Sequence, residues 1–509
     1  MIKLGGAFLV FFAKKSGYLI VCLLLLACEP EKKPIPVPAM LELTPSSQLN
    51  RAIYANHLQL DPHFVTTVAE SAPIRDLLVG LMAYDSRGNV IPAVATDIFS
   101  DDGVNWLLQL DQGRVWSNGD AVTAEDFVAS WQRLADPANH SPLADYLIYM
   151  GILNAKEVIH GELPPSELGL KALNTHSLQI QLHQPHYQLP NMLAHLALLP
   201  TYQGQKPQVD QPFISNGDYR LSSWHHLGAT LQAVVEDLAF QTVRYQLVSE
   251  VQNVDRFDIV ENPLPSYQRD LIYLPRLCSY FYEFNFTDPK LRNKVIRQAI
   301  RTMLSPSEVG DGFGIPTHSL VPKALFATHD RHLDKATAEQ LLEQANVDLQ
   351  HPLRLHITYD QQDKHQVIAN RILRVLSRSD LFQVQLHAVD WGALLAKRQK
   401  KAFELIRSGW CADYPDPAVF LMPFHSKSPD NKSGYQNKLV DQYLERLQQT
   451  QSSGEREQLI FNIVQHLEND VVVLPLFQYQ RRLTVAPDII GVDLRNHSEV
   501  IYSKDLYRQ

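Results

Sequence analysis

One short segment, residues 407–420 (RSGWCADYPDPAVF), brings together a cation, a tryptophan, a cysteine and a carboxylate. It follows an apparent strand, Ala402 to Ile406. An extended chain turns successive side chains to opposite faces. One face would therefore carry Arg407, Gly409, Cys411 and Asp413, and the opposite face would carry Trp410 and Ala412. A cation and an anion about 20 Å apart, at ~3.3 Å per residue, could hold both ends of a short zwitterion. The alternative is a surface strand whose charges are only solvated.

The N-terminus has the pattern of a secretory signal. Lys14 and Lys15 precede an apolar run, Tyr18 to Ala27, which ends in a small residue. Cys28 follows directly, and this order resembles a bacterial lipobox, in which the cysteine carries the lipid. We therefore expect a signal peptide over residues 1–27 and a lipidated, proline-rich tether over residues 28–40. A short membrane anchor is the alternative.

Two cysteines, Cys278 and Cys411, would remain in the folded body, because Cys22 would leave with the signal and Cys28 would carry the lipid. Outside the cytoplasm, two remaining cysteines favour a disulfide. A metal-binding pair is the alternative, although the sequence has no CxxC and no HExxH motif. We expect no metal site.

Length and charge limit the classes of function. Without the signal the chain would have 482 residues, too many for one ordinary core, so we expect two or three domains. The formal charge would move from −9 to about −12, because the signal carries three lysines and no acids. So acidic a body argues against nucleic acid as a partner.

The hydrophobic pattern is that of a mixed α/β protein. Thr123 and Asp126 form a capping-box sequence, which predicts a helix that begins AEDFVASWQRL. Apolar residues from Val295 to Met303 form a helical stripe. Strands LRLHITY, FQVQLHAV and AFELI alternate with helices at residues 364–377 and 391–400, which predicts a βαβ sheet. Other predicted elements are strands at residues 106–110, 178–182 and 471–479 and helices at residues 440–447 and 459–467.

We expect neither catalysis nor a cofactor. The chain has no GxSxG and no GxxxxGK motif. The glycines from Gly310 to Gly314 do not follow a strand in dinucleotide-binding spacing, so they predict a turn. The acid pair Asp101 and Asp102 lies in turn-like sequence and is expected to be solvated.

Longer motifs carry a resemblance to a known family. WSNGDAVTAEDFV at residues 116–128 is highly specific, and GWCADY at residues 409–414 matches letter for letter. Shorter matches are LDPH at 60–63, RDLL at 75–78, LGLKAL at 168–173, NGDY at 216–219, CSYFYEFN at 278–285 and VIYSKDLY at 500–507. The chain resembles the extracytoplasmic solute-binding proteins of peptide ABC importers, family 5, and most closely the oligopeptide-binding members.

The resemblance implies an α/β, bilobal periplasmic-binding-protein fold with three discontinuous domains. Domain I, in lobe 1, would comprise residues 41–78, 203–277 and 484–509. Domain II would comprise residues 79–202, and domain III, which is lobe 2, residues 278–483. The lobes would close over an extended peptide.

The resemblance also assigns the amino end of the ligand. Asp413 would bind the peptide α-ammonium, which needs an anion because an unpaired buried charge is very costly. Gly409 and Cys411 would offer backbone groups to the peptide, as in strand addition. Cys278 and Cys411 lie in two of the matching motifs, so we expect their disulfide beside the peptide groove.

Further positions are implied along the groove. Arg398, Arg407 and His365 would stand where the family receives peptide carboxylates of different lengths. The remaining predicted peptide-binding residues are His195, Trp410 and Val68. For His195 the alternative is a satisfied core histidine, and for Arg398 it is a solvated helix face.

Departures from the family pattern concern ligand length. Thr66 stands where the family has a glutamate, and Leu143 replaces a pocket tyrosine. The lysine that receives the carboxylates of longer peptides has no counterpart. We therefore expect a preference for peptides of about two to four residues, with Arg407 as the main, bidentate carboxylate partner. Alternatively, Lys323 supplies the missing charge.

The function implied is that of a substrate-binding lipoprotein of the periplasm or cell envelope. It would capture short peptides and deliver them to the permease subunits of an ABC importer. We expect a monomer that is not an enzyme and is held at the membrane by its lipid. The alternatives are a receptor of the same fold for a murein peptide, nickel chelate or haem, an exported enzyme, and a signalling lipoprotein.

Overall fold

The computed structural model describes residues 47–55, 57–209, 211–225, 227–249, 254, 256–264, 266–267, 270–327 and 337–509. The predicted signal peptide and the whole predicted tether, including Cys28, lie outside the described residues. Within the described part of the chain, no helix has the length and apolar character needed to cross a membrane.

The strands and helices have the following bounds. The strands are β1 (Gln48–Ile53), β2 (Met82–Tyr84), β3 (Val90–Pro92), β4 (Ala95–Phe99), β5 (Asn105–Leu110), β6 (Leu170–Asn174), β7 (Ser177–Gln181), β8 (Tyr219–His225), β9 (Gly228–Ala233), β10 (Thr242–Leu247), β11 (Ile259–Glu261), β12 (Leu271–Phe284), β13 (Ile315–Pro316), β14 (Leu353–Asp360), β15 (Phe382–Val389), β16 (Leu405–Cys411), β17 (Val473–Val485), β18 (Ile489–Ile490) and β19 (Tyr507–Arg508). The helices are α1 (Val68–Leu77), α2 (Ala124–Ala135), α3 (Asp145–Tyr149), α4 (Ala155–Ile159), α5 (Leu189–Met192), α6 (Lys294–Met303), α7 (Pro306–Val309), α8 (Ala338–Gln344), α9 (Asp363–Leu376), α10 (Trp391–Gln399), α11 (Ala418–Leu421), α12 (Lys438–Gln449) and α13 (Ser453–Asn469).

One large mixed sheet organises the fold. Its strand order is β15-β14-β16-β12-β17-β11-β1-β10-β9-β8, with β13 paired to β17. The long strands β12 and β17 pair with each other and join the β14–β16 part of the sheet to the part that contains β1 and β8–β11. A bulge interrupts their register between Pro275 and Ser279. A separate antiparallel sheet has the order β4-β5-β7-β6.

Local sequence explains the elements that were predicted correctly. In β5 alternate residues Trp106, Leu108 and Leu110 are buried, as a strand with one solvated face requires. The Thr123 side chain accepts from the Asp126 backbone N–H, and the Asp126 carboxylate accepts from the Thr123 backbone N–H at 2.8 Å. This capping box begins α2 where it was expected.

The predicted βαβ arrangement is also confirmed, because β14 pairs in parallel with both β15 and β16. The predicted strand Ala402 to Ile406 was displaced, however. The observed strand begins at Leu405 and continues to Cys411, so it includes Arg407, Gly409 and Cys411, which the sequence analysis had already treated as extended chain. Its pairing with β12, from Cys278 to Phe284, provides hydrogen-bond partners for backbone groups that have none within their own segment.

Two large cores fill the molecule. One contains the β14–α9–β15 unit together with the end of β12 and the start of β17, including Tyr280 and Phe477. The other contains most remaining elements, including α2 with Phe127 and Trp131. The described chain forms one compact unit by its contacts, and the proposed boundaries of three domains stay a prediction.

Candidate functional site

A cavity of about 320 Å³ opens between the start of α1, the end of β16 and the tail near residue 499. Its wall contains four residues that the sequence assigned to peptide binding: Val68, His195, Cys411 and Asp413. Thr66 and Leu143, two of the departures from the family pattern, line it as well. The structure therefore gathers the predicted amino end and two specificity positions around one space.

Asp413 is an anion that has no partner among the residues that the structure describes. It is exposed to the cavity and makes no hydrogen bond or ion pair with the described residues. Although water reaches the carboxylate, the cavity walls displace enough of it to raise the pKa of Asp413. Burial raises the pKa of both Tyr84 and Tyr149 to about 12, and the negative charge of Asp413 contributes. A ligand cation at this position would supply the missing counter-charge.

His195 stays neutral at the cavity wall. Burial, assisted by the positive charge of Arg75, lowers the pKa of His195 to about 3. Its ring stacks on Tyr146 with centroids 3.8 Å apart, and its Nδ1 accepts a hydrogen bond from the Ala197 N–H at 3.3 Å. His195 thus lines the cavity, and Tyr146 and Ala197 also hold its ring. The two interpretations from the sequence, a pocket-lining residue and a satisfied core histidine, each describe part of its environment.

The disulfide between Cys278 and Cys411 is present, as predicted. The two residues stand directly opposite each other in the antiparallel pair β12–β16. Both cysteines line the cavity that contains Asp413. The bridge therefore fixes the end of β16 immediately before that carboxylate.

Strand β16 has an open edge beside the cavity. Among the described residues, its second edge pairs with β14 only at Leu405 and Ile406. The Ala412 N–H donates to the Leu277 carbonyl of β12 at 2.8 Å. Because backbone groups alternate in direction along a strand, those of Gly409 and Cys411 point to the open edge. A Cβ at Gly409 would lie 3.1 Å from the Ser279 carbonyl oxygen, so this close approach favours glycine.

Arg407 and His365 share a carboxylate that the sequence analysis missed. Nη1 of Arg407 lies 3.6 Å from Oδ1 of Asp360, and Nδ1 of His365 lies 2.8 Å from the same atom. The guanidinium of Arg407 also lies over the ring of Tyr280, 5.2 Å from its centroid. Burial and the charge of Arg407 lower the pKa of His365 to about 4 despite the opposing effect of Asp360. At neutral pH His365 is uncharged.

Arg398 and Trp410 lie elsewhere. Nη2 of Arg398 is 2.6 Å from Oε1 of Glu283, which also accepts from the Ser408 hydroxyl at 2.9 Å. Arg398 and Trp410 line a small pocket together with Glu283. Because Ser408 and Trp410 alternate with Arg407 and Cys411 along β16, they belong to its other face. Arg398 is therefore neither a free cation nor a solvated helix residue.

Eight of the nine predicted residues thus form three groups rather than one, and the ninth, Gly409, lies at the open edge of β16. Val68, His195, Cys411 and Asp413 share the cavity, Arg407 and His365 share Asp360, and Arg398 with Trp410 adjoins Glu283. Sequence reasoning missed Asp360, which ends a strand considered only for its hydrophobic pattern, and Glu283, which was noted only as a letter of the motif CSYFYEFN. The peptide-binding roles themselves stay predictions.

Comparison with known proteins fits this geometry. The model of the bacterial extracellular solute-binding proteins, family 5 Middle, matches residues 89–432. A putative binding protein of Haemophilus influenzae is 38% identical over 497 residues, 95% of each chain. The periplasmic oligopeptide-binding protein OppA of Salmonella typhimurium is 28% identical over 92% of this chain and 94% of its own.

A solved structure agrees with the fold over nearly the whole chain. The murein tripeptide binding protein MppA, in its unliganded open form, gives a TM-score of 0.84 at 26% identity, covering 91% of this chain and 98% of that one. The relatives are named as binding proteins, not as enzymes. On the family match and the full-length relatives, the chain belongs to the bacterial extracellular solute-binding proteins of family 5.

Proposed function

We propose that this protein captures short peptides outside the cytoplasm and delivers them to an ABC importer. One observation carries the proposal: the carboxylate of Asp413, which has no partner among the described residues, lies in a cavity next to the open edge of β16. A carboxylate suits an α-ammonium, and an open strand edge suits a peptide backbone. Named relatives such as the oligopeptide-binding OppA support the same ligand class.

The proposed ligand lies extended along β16. Its ammonium meets Asp413, its backbone pairs with Gly409 and Cys411, and its carboxylate points toward Arg407. The strand spans about 20 Å from Arg407 to Asp413 at ~3.3 Å per residue, and both side chains shorten that gap. Peptides of about two to four residues fit this description, and affinities measured from dipeptide to pentapeptide test it. Pentapeptides that bind as tightly as tripeptides would contradict the short-peptide preference.

We also propose that the protein is a monomeric lipoprotein of the cell envelope, anchored through Cys28. A Cys28→Ser variant should lose the lipid mass and leave the membrane fraction. If it stays membrane-bound with unchanged mass, this assignment is wrong.

The decisive experiment is native mass spectrometry of protein purified without denaturation. The expected result is a set of bound peptides with free amino groups, retained by the wild type and lost from Asp413→Asn. Exclusive retention of a non-peptide molecule by both proteins would refute the proposal. Uptake of the identified peptides in cells with and without this protein then tests delivery to the importer.

A murein peptide is the second candidate ligand. The similarity to MppA favours it. A murein peptide with a free amino end would place its ammonium at Asp413 in the same way. Competition between a murein tripeptide and an ordinary tripeptide separates the two possibilities.

A further inference from the structure

The positive charge of Arg407 is largely neutralised by Asp360, so little of it is available to a ligand carboxylate. The two side chains are largely buried and their nearest charged atoms lie 3.6 Å apart. His365, the third member of this group, is neutral because the pKa of His365 is about 4. The cation that was expected to receive a peptide carboxylate is therefore already balanced by a protein anion.

Lys364 lies beside this balanced pair. It belongs to the first turn of α9, next to His365, and is exposed. Its Nζ lies 5.0 Å from the ring centre of Tyr479, and the hydroxyl of Tyr479 accepts from Nη2 of Arg407 at 3.5 Å. One aromatic side chain, that of Tyr479, thus contacts both cations.

Lys364 has no anionic partner among the described side chains. Burial by its neighbours and repulsion from Arg407 and Arg276 lower the pKa of Lys364, and Asp360 opposes this only in part. Arg276 is itself paired with Glu499, and both of those residues line the cavity that contains Asp413. Among the side chains that the structure describes between the cavity and α9, Arg407 and Arg276 are each paired with an acid, whereas Lys364 is not.

We infer that Lys364 supplies the counter-charge for the ligand's terminal carboxylate, while Arg407, balanced by Asp360, contributes directional hydrogen bonds. The inference rests on the proposed function, because it presumes a ligand whose ammonium end is at Asp413. Lys364 would also replace the lysine that this chain lacks near its glycine-rich turn. The competing interpretation is that Lys364 is a solvated surface residue of α9 that does not contact the ligand.

The test compares acid and amide forms of the same peptide. Calorimetry with alanine peptides of two to five residues, each as the free acid and as the C-terminal amide, measures what the carboxylate contributes. In the wild type the acid should bind more tightly. Lys364→Met should weaken acid binding about tenfold to a hundredfold, as for a lost charged hydrogen bond, and leave amide binding nearly unchanged. Lys364→Arg should keep most of the preference for the acid.

Two matched variants complete the test. Arg374→Met removes a cation from the same helix about 15 Å away, at ~1.5 Å per residue, and should change neither form. Lys323→Met removes the rival lysine and should likewise change neither. If Lys364→Met keeps the wild-type acid preference, or if Lys323→Met abolishes it, the inference is wrong while peptide binding stands. If no peptide of the series binds the wild type, the proposed function fails and this inference with it.

Discussion

Nη1 of Arg407 lies 3.6 Å from Oδ1 of Asp360, so a cation that sequence motifs assign to the ligand is bound by a buried anion of the protein. The carboxylate comes from the end of β14 and the guanidinium from β16. The ion pair places the guanidinium beside the end of β14. It also sets the charge that a ligand would meet.

Replacing Asp360 should separate stability from ligand preference. Asp360→Asn leaves Arg407 largely buried without its anion, so the free energy of unfolding should fall by about 3–5 kcal/mol. The freed charge should increase the preference for a peptide acid over its amide. Urea unfolding and calorimetry measure the two effects. An unchanged acid preference in a folded Asp360→Asn protein would show that Arg407 does not face the ligand carboxylate.

Replacing Asp413 should affect binding far more than folding. Asp413→Asn removes the counter-charge of the ligand ammonium and should cost about 2–5 kcal/mol of binding free energy. Because the folded protein raises the pKa of Asp413, its charge does not stabilise the fold, and the unfolding midpoint should stay the same or rise.

Calorimetry with free and N-acetylated peptides checks the assignment of Asp413. The wild type should bind the acetylated form poorly, whereas Asp413→Asn should distinguish the two forms much less. Asp380→Asn, at an exposed acid between α9 and β15, serves as the control and should behave as the wild type. Equal wild-type affinity for both peptide forms would rule out the role of Asp413.

Stability should fall as the pH falls from about 6.5 to about 4, in part because of His365. The pKa of His365 is about 4 in the folded protein and 6.5 ordinarily. Between these two pH values the unfolded chain therefore binds a proton at His365, whereas the folded chain does not. The contribution of His365 to the free energy of unfolding is complete above pH 6.5. It decreases on acidification by at most about 1.4 kcal/mol per pH unit.

The contribution of His365 is measurable as a difference in slope. His365→Gln should show a smaller loss of unfolding free energy between pH 7 and pH 5 than the wild type does, as measured by urea unfolding. His63 and His195, whose pKa values burial also lowers to about 3, remain in both proteins and cancel in the comparison. Identical slopes for the two proteins would contradict the assignment.

Removing the disulfide should weaken the fold without changing the sheet register. Cys278 and Cys411 are 133 residues apart in sequence, and loss of a native bridge commonly costs about 2–5 kcal/mol. The neighbouring pairs, Tyr280 with Gly409 and Tyr282 with Arg407, should keep β12 and β16 aligned. A reductant should lower the urea midpoint of the wild type and leave that of the Cys278→Ser, Cys411→Ser double variant unchanged. Insensitivity of the wild type to the reductant would disprove the stabilising role.

Local patterns were sufficient for many elements of the fold. The capping box at Thr123 and the alternation in β5 each depend only on residues close in sequence. For this reason α2 and β5 lie where they were predicted. The start of β16 was misplaced because its pairing with β12 joins residues more than 120 positions apart. Hydrogen bonds between strands so distant in sequence leave no local periodicity to read.

The sequence by itself determined the family, the cysteine pair and the presence of Asp413 in a specific motif, because these depend on residue identity and spacing. Only the tertiary structure decided which charges are free. It paired Arg398 with Glu283 and Arg407 with Asp360, and it left Asp413 and Lys364 without an oppositely charged partner among the described side chains. The physical reason is that the effect of a charge depends on its distance from other charges and from water. Those distances are set by strands and helices that meet only after the chain has folded.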